Sequence, residues 1–218
     1  MHGQLESPTP ETVKAACERF DRDNEAAEHA LAELFRQYPQ NTDLRHVLLK
    51  VVAVNSLYHT CIYALDTVAR HIHAHGAEVD AAFDTGSPHI VDQIAKVKVQ
   101  GKTHNFFAFA TKYASWHQPE KFPIYDSRVD SYLWTLQQQK PFAPAFMHPH
   151  LWDYPRFHTI AVAFRDTYGL SAFTFKEIDK FLYLQGEPRV SSVPDEPLPG
   201  VGAFDFFPTQ EPAQELPS

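Results

Sequence analysis

The residues best placed to do chemistry sit in the stretch Pro123-Ile124-Tyr125-Asp126-Ser127-Arg128-Val129. Pro119 and Pro123 break the chain, and the pattern Ser127-Arg128-Val129-Asp130 reads as a capping box opening a new helix. A carboxylate delivered to that point feels the positive end of the helix dipole and can accept amide hydrogen bonds, which keeps it ionised at neutral pH. An ionised aspartate can steady a cationic, sugar-like transition state or take a proton from water; it can also serve simply as a cap. Lys112, on the segment before the prolines, offers an amine for nucleophilic attack, or an ammonium that pairs with a carboxylate as a structural salt bridge.

A second polar set lies inside the apolar stretch Val52-Ala53-Val54-Asn55-Ser56-Leu57-Tyr58-His59-Thr60. Polar groups buried there need partners, because each one left unpaired costs about 1 to 3 kcal/mol. The histidines suggest no metal centre. His71, His73 and His75 alternate, and on a helix such i,i+2 side chains point to different faces, while His148 and His150 read as solvated ends. His104 and His117 flank a basic stretch and could touch phosphate or act as acids. The chain has no phosphate-binding glycine loop, no dinucleotide fingerprint and no Gly-x-Ser-x-Gly elbow. Cys17 and Cys61 are too few for a disulfide framework or a cysteine-rich zinc module.

The elements that must carry these residues read as helices. Glu11 to about Tyr38 is amphipathic, with Val13, Ala16, Phe20, Leu31 and Phe35 mostly at helical spacings. A second helical run, capped by Asn41-Thr42-Asp43, continues to Ile72 and is nearly apolar all round in its middle, which places it centrally. A loop at Gly76 and the turn Asp84-Thr85-Gly86-Ser87-Pro88 lead to a helix starting near His89. Asn105 to Trp116 reads as a buried helix, and further helices are expected from Ser127 to about Gln139, Tyr154 to Tyr168 and Phe175 to Leu184. Few segments alternate with period two, so the expected fold is all-α.

Charge is distributed unevenly around the net value of −8. Residues 1–40 hold 8 acids and 4 bases, and residues 187–218 hold 6 acids, 1 base and 7 of the 17 prolines. We expect an acidic N-terminal helical segment over 1–40, a helical domain over 41–186 and a disordered, proline-rich tail over 187–218. The middle section is nearly neutral, and Lys96, Lys98, Lys102, Lys112 and Lys121 face Glu120 alone between residues 94 and 121, leaving room for a basic patch. No run approaches the roughly 18 apolar residues a membrane span needs, and the N-terminus lacks a secretory pattern, so a cytoplasmic location is expected.

The order helix, proline-bounded turn, Pro123 to Val129, helix resembles the catalytic segment of the helix-hairpin-helix DNA glycosylases, in which a short apolar-Pro-apolar stretch precedes an aspartate. Val51 to Thr60 is similar to that superfamily's apolar helix ending in a polar element beside the DNA, and Phe107 to Val129 resembles bacterial 8-oxoguanine-glycosylase-like proteins. The likeness covers roughly residues 45–135.

The resemblance implies a glycosylase-like helical bundle that acts, without metal or cofactor and as a monomer, on double-stranded DNA. It would hydrolyse the N-glycosidic bond of a flipped base, either 8-oxoguanine or a hypermodified base of phage DNA. Asp126 would steady the sugar, with water or Lys112 as nucleophile. Asn55, Tyr58, Trp116 and Tyr125 would form the base pocket, and Lys98, Lys102, His104 and Arg128 would meet the DNA backbone. The chain departs from the family pattern twice. The superfamily's hairpin carries two close glycines that hold a phosphate, whereas Ile94 to Asn105 contains Gly101 alone. The usual lysine position falls near Ala108, about one turn before Lys112. The rival reading is a non-catalytic helical module that binds nucleic acid or protein.

Overall fold

The computed structural model describes residues 5–186, so the expected tail over 187–218 lies outside the described residues. Helix α1 (Pro10–Gln37) starts where Thr9 and Thr12 form a reciprocal capping box and Pro10 takes the first helical position. It bends at Asn24, whose φ of −127° leaves the helical region and whose Nδ2 donates to the Phe20 carbonyl at 2.9 Å. Its buried face, Val13, Ala16, Leu31 and Phe35, lies along the C-terminal helix and touches the central ones.

The long apolar run divides into two helices. Helix α2 (Leu44–Tyr58), capped by Asp43, ends at His59 in the left-handed region, and α3 (Leu65–Ala74) begins after a short loop. The Asn55 side-chain oxygen accepts from Thr60 Oγ1 and Ile62 N, both at 2.8 Å, and folds the chain back on the helix end. Apolar spacing continues across the break because both helices bury residues in the same core, which is why periodicity alone joined them.

Gly76 does not sit in a loop but opens α4 (Gly76–Thr85). A Cβ at this glycine would collide with the Asn41 carbonyl. Helix α5 (His89–Ala95) leads into the departure from an all-α fold, an antiparallel hairpin of β1 (Lys96–Val99) and β2 (Lys102–Asn105). Its two turn residues, Gln100 and Gly101, both have positive φ, as a tight hairpin turn requires. The Lys-Val-Lys-Val alternation that marks β1 is only four residues long, too short to outweigh the surrounding helical pattern. The molecule is otherwise helical among the described residues.

Helix α6 (Phe107–His117) is buried from Phe109 to Trp116 and packs against α1, α2 and α5. Helix α7 (Ser127–Gln139) follows the proline-bounded loop. A short 3-10 helix (His148–Trp152), α8 (Tyr154–Thr167) and α9 (Phe175–Gln185) complete the chain. Rings of Tyr132, Tyr154, Phe157, Phe164 and Phe181 fill the space among α7, α8 and α9.

A polar knot is enclosed beside α6. Lys50 is fully buried, and its Nζ donates to the Gln40 carbonyl at 3.0 Å and to Asn41 Oδ1 at 2.9 Å, with His117 Nε2 at 3.2 Å. Tyr113 also donates to Asn41 Oδ1, and Asp80 holds the Asn41 backbone and side-chain N–H groups. Burial lowers the Lys50 ammonium to about 7 against a smaller upward pull from Asp80. His117 is pushed well below its usual range, by burial first and by Lys50 second.

Candidate active site

Asp126, not Ser127, is the N-cap of α7. Its Oδ1 accepts from the amides of Arg128 and Val129, both at 2.9 Å, while Oδ2 turns towards Lys112 Nζ, 3.8 Å away. The two side chains are 18% and 7% exposed, so the pair is largely withdrawn from water. Thr111 locks α6 to the segment ahead of Asp126, because its hydroxyl accepts from Tyr125 N at 3.1 Å. Lys112 Nζ also reaches the Tyr125 carbonyl at 3.4 Å.

Aromatic groups close the other side of Lys112. Its ammonium lies 5.5 Å from the centre of the Tyr58 ring, and the Tyr58 hydroxyl accepts from Trp116 Nε1 at 3.0 Å. Burial is the main cause holding the Tyr58 phenol well above its usual range, helped by the negative charge of Glu28 and Asp179. Lys176 Nζ stands 4.0 Å over the Trp116 ring, a close cation–π contact, and pairs with Glu28. Lys180 pairs with Glu28 at 3.2 Å and with Asp21.

These ions form the floor of a cleft between α1 and α9, roughly 520 Å³ in volume and lined by Trp116, Glu28, Lys176, Lys180, Glu25 and His29, among others. Next to the same ions lies Asp179. Burial and the Asp126 carboxylate push its carboxyl up to about 8, against the opposing pull of Lys112 and Lys176. Asp179 Oδ1 is shut off from solvent and has no hydrogen-bond partner among the described residues. Sequence reasoning passed over this residue because it lies on an ordinary amphipathic helix, more than 50 positions from Asp126. The only available signal was an acid flanked by two lysines at i−3 and i+1.

Tyr58, Trp116, Lys112 and Asp126 are thus gathered in one place, and the other expected residues are placed elsewhere. Asn55 has its carbonyl oxygen committed to the loop after α2, so it is a turn organiser and not a free wedge. Tyr125 donates to Asp130 Oδ2 at 3.0 Å, in a second polar centre where Trp152 Nε1 donates to the same oxygen and His148 Nε2 meets Asp130 Oδ1 at 2.8 Å. Arg128 stacks on Tyr183 and donates to the Gly186 carbonyl, which ties it to the end of α9.

The five lysines expected to share one face are separated. Lys96, Lys98 and Lys102 are exposed on the hairpin beside His104, Lys112 is interior, and Lys121 donates to the Asp84 carbonyl at 2.6 Å. Within the hairpin, Lys98 pairs with Thr103 and Lys102 with Val99, so Lys98 and Lys102 project from opposite faces. His117, read from the sequence as a phosphate contact or an acid, is stacked on Phe83 in the interior. His71 and His73 bond two different carbonyls, those of Gln93 and Thr42. Among the described residues no group of histidines, cysteines and acids converges as a metal site.

Residues 12–121 match the model of the HI_0787_N family, described as its N-terminal domain, and the chain belongs to that family. It is 33% identical over 147 residues to an uncharacterized protein of Haemophilus influenzae, an alignment covering 67% of this chain and 69% of the relative. No solved structure matches the chain. The family match takes in Glu28, Tyr58, Lys112 and Trp116 and ends before Asp126 and Asp179.

Proposed function

We propose that this protein is a DNA glycosylase that hydrolyses the N-glycosidic bond of a damaged or modified base, with Asp126 facing the reacting sugar. One observation carries the reading. The Asp126 carboxylate divides its two oxygens, with Oδ1 spent on the start of α7 and Oδ2 left outside the cap, 3.8 Å from Lys112. A cap needs one oxygen; the second, beside Lys112 and largely withdrawn from water, is the one able to act on a positive centre.

Breaking the bond leaves positive charge on C1′ and the ring oxygen, and Asp126 Oδ2 offsets it. Lys112 orients that oxygen, and water adds to the sugar. Tyr58 and Trp116 supply the aromatic wall beside the pair, and Trp116 also lines the cleft between α1 and α9. Lys96 and Lys98 on one face of the hairpin, or Lys102 beside His104 on the other, give the DNA backbone its first contact, with a net protein charge of −8 keeping that contact local. Oxidised guanine and hypermodified phage bases are the substrate classes. The reading is tested by measuring free base released from 8-oxoguanine duplexes and from modified phage genomes, with Asp126→Asn as control. Release by the wild type and none by the variant supports it; release by both removes Asp126 from the mechanism.

A second reading, a non-catalytic binding module, draws on the same ion pair, since a lysine bonded to a helix-capping aspartate also serves as a rivet between α6 and α7. Binding that weakens with salt, without base release from either substrate, would favour it.

A further inference from the structure

We infer that the outward face of the β1–β2 hairpin is the surface on which this protein docks duplex DNA, with Lys96, Lys98, Thr103 and Asn105 meeting phosphate oxygens. This docking rests on the DNA partner of the reading above and needs none of its chemistry.

The strand register defines two faces. Lys96 pairs with Asn105 and Lys98 with Thr103, so these four side chains stand together on one face. Val97, Val99, Lys102 and His104 stand on the other, where Val97 is buried in the core and β1 packs against α3 and α5. That second face ties the hairpin to the body, and the His104 ring on it lies nearly parallel to Phe106 at 5.7 Å. All four side chains of the outward face are exposed. Strand β2 buries none of its four residues, so it adds surface and not core.

Charge and hydrogen-bonding chemistry select the partner. Residues 96–105 hold three lysines and no acid, in a chain with 27 acids against 19 lysines and arginines. A polyanion meets net repulsion from the molecule as a whole, and these ten residues are free of it. Among the described residues neither the Lys96 nor the Lys98 ammonium is engaged in an ion pair, whereas Lys112, Lys176 and Lys180 are each held by a carboxylate. Lys96 and Lys98 are two residues apart on one strand, about 6.6 Å, with their cross-strand neighbours about 5 Å away. This two-by-two patch lets the two ammoniums take successive phosphates of one DNA strand. The Thr103 hydroxyl and the Asn105 amide beside them are neutral donors to the same phosphate oxygens. Contacts of this kind position a duplex without reading its sequence.

Salt dependence provides the test. Binding of a fluorescein-labelled duplex of ordinary bases to the full chain is followed by anisotropy between about 50 and about 200 mM salt. Lys96→Gln/Lys98→Gln keeps the side-chain stems and removes both charges. It should lower affinity at least about tenfold at the lowest salt and reduce the slope of log affinity against log salt by about 2. Thr103→Val/Asn105→Ala should weaken binding about threefold or more with the slope unchanged, because neutral donors release no counterions. Lys102→Gln, on the face turned to the body, should change neither quantity.

A double lysine variant with wild-type affinity and slope, a full effect from Lys102→Gln, or a wild type that binds no duplex overturns the inference. So does a labelled polyglutamate that binds the wild type as tightly as the duplex, since the face would then suit an acidic protein. Should the double variant fail to fold, Lys98→Gln alone decides: a slope change of about 1 supports the docking face, and none overturns it. Base release from 8-oxoguanine duplexes by the same proteins separates the two readings. Salt-dependent binding through Lys96 and Lys98 without base release removes the glycosidic reading and keeps the docking face. Base release unaffected by Lys96→Gln/Lys98→Gln at low duplex concentration overturns the docking face and leaves the glycosidic reading standing.

Discussion

Lys112 Nζ lies 3.8 Å from Asp126 Oδ2, although the two residues reach that point from different helices and across a loop bounded by prolines. Because Asp126 also caps α7, its structural and chemical contributions fall on different oxygens and can be separated by substitution.

Asp126→Asn keeps a side-chain oxygen for the Arg128 and Val129 amides, and asparagine is as good an N-cap as aspartate, so the cap is retained and the stability loss of about 1 to 2 kcal/mol comes from Lys112 losing its counter-charge. Base release should be lost. Asp126→Ala should add the missing cap, about 0.5 to 2 kcal/mol. Urea unfolding of both variants beside a base-release assay checks this; a large stability loss in Asp126→Asn alone would show that the charge, and not the cap, is structural.

Lys112→Met removes the ammonium and leaves Asp126 Oδ2 without its counter-charge. Since the aspartate keeps some contact with water, the stability cost should fall below the 3 to 5 kcal/mol or so typical of a severed buried pair. With water as nucleophile, borohydride added during turnover should trap no protein–DNA adduct. A trapped adduct in the wild type that disappears in Lys112→Met would instead make the lysine the attacking group.

Lys50 makes a prediction about pH. Its folded-state value is about 7, below that of an unfolded lysine, so between about 7 and about 10 the unfolded chain binds the extra proton. Stability from this group is therefore present at high pH and is lost as pH falls through about 7. Thermal melts of the wild type and Lys50→Met across that range should show a rising limb in the wild type that is shallower in the variant. Parallel profiles would mean the ammonium is satisfied in place.

On the hairpin, Lys98→Ala and Lys102→Ala touch exposed side chains and should leave the melting temperature unchanged. If each meets a phosphate, each should reduce the slope of log affinity for duplex DNA against log salt by about 1. Because the two side chains project from opposite faces, a strong effect from one and none from the other would identify the face that meets DNA.

Tyr58→Phe removes the acceptor of Trp116 Nε1 and keeps the ring. The buried indole N–H left without a partner should cost about 1 to 3 kcal/mol, read by chemical denaturation.

Much of the framework was legible in the linear chain. The amphipathic helix from Glu11, the turn before His89, the buried character of α6 and the start of a helix beside Asp126 all follow from interactions among residues within a few positions of one another. Spacing and cap chemistry are local, so a reader of the sequence can weigh them directly. The break after Tyr58 and the β-hairpin escaped that reading because a side-chain bond from Asn55 to Ile62 and a four-residue alternation leave no periodic signature.

The site itself belonged to the tertiary structure. Glu28 meets Lys176 across 148 positions, Tyr58 meets Trp116 across 58, and Asp179 acquires its raised carboxyl only when the packing of α9 buries it near Asp126. The same packing that formed this cluster removed Asn55, Arg128 and His117 from the roles their types suggested, by giving each a partner within the fold. Residue type and order determine which groups are present and which helix carries them. Their distance, burial and field depend on how helices far apart in sequence pack together, and a carboxyl's chemistry is set by those quantities.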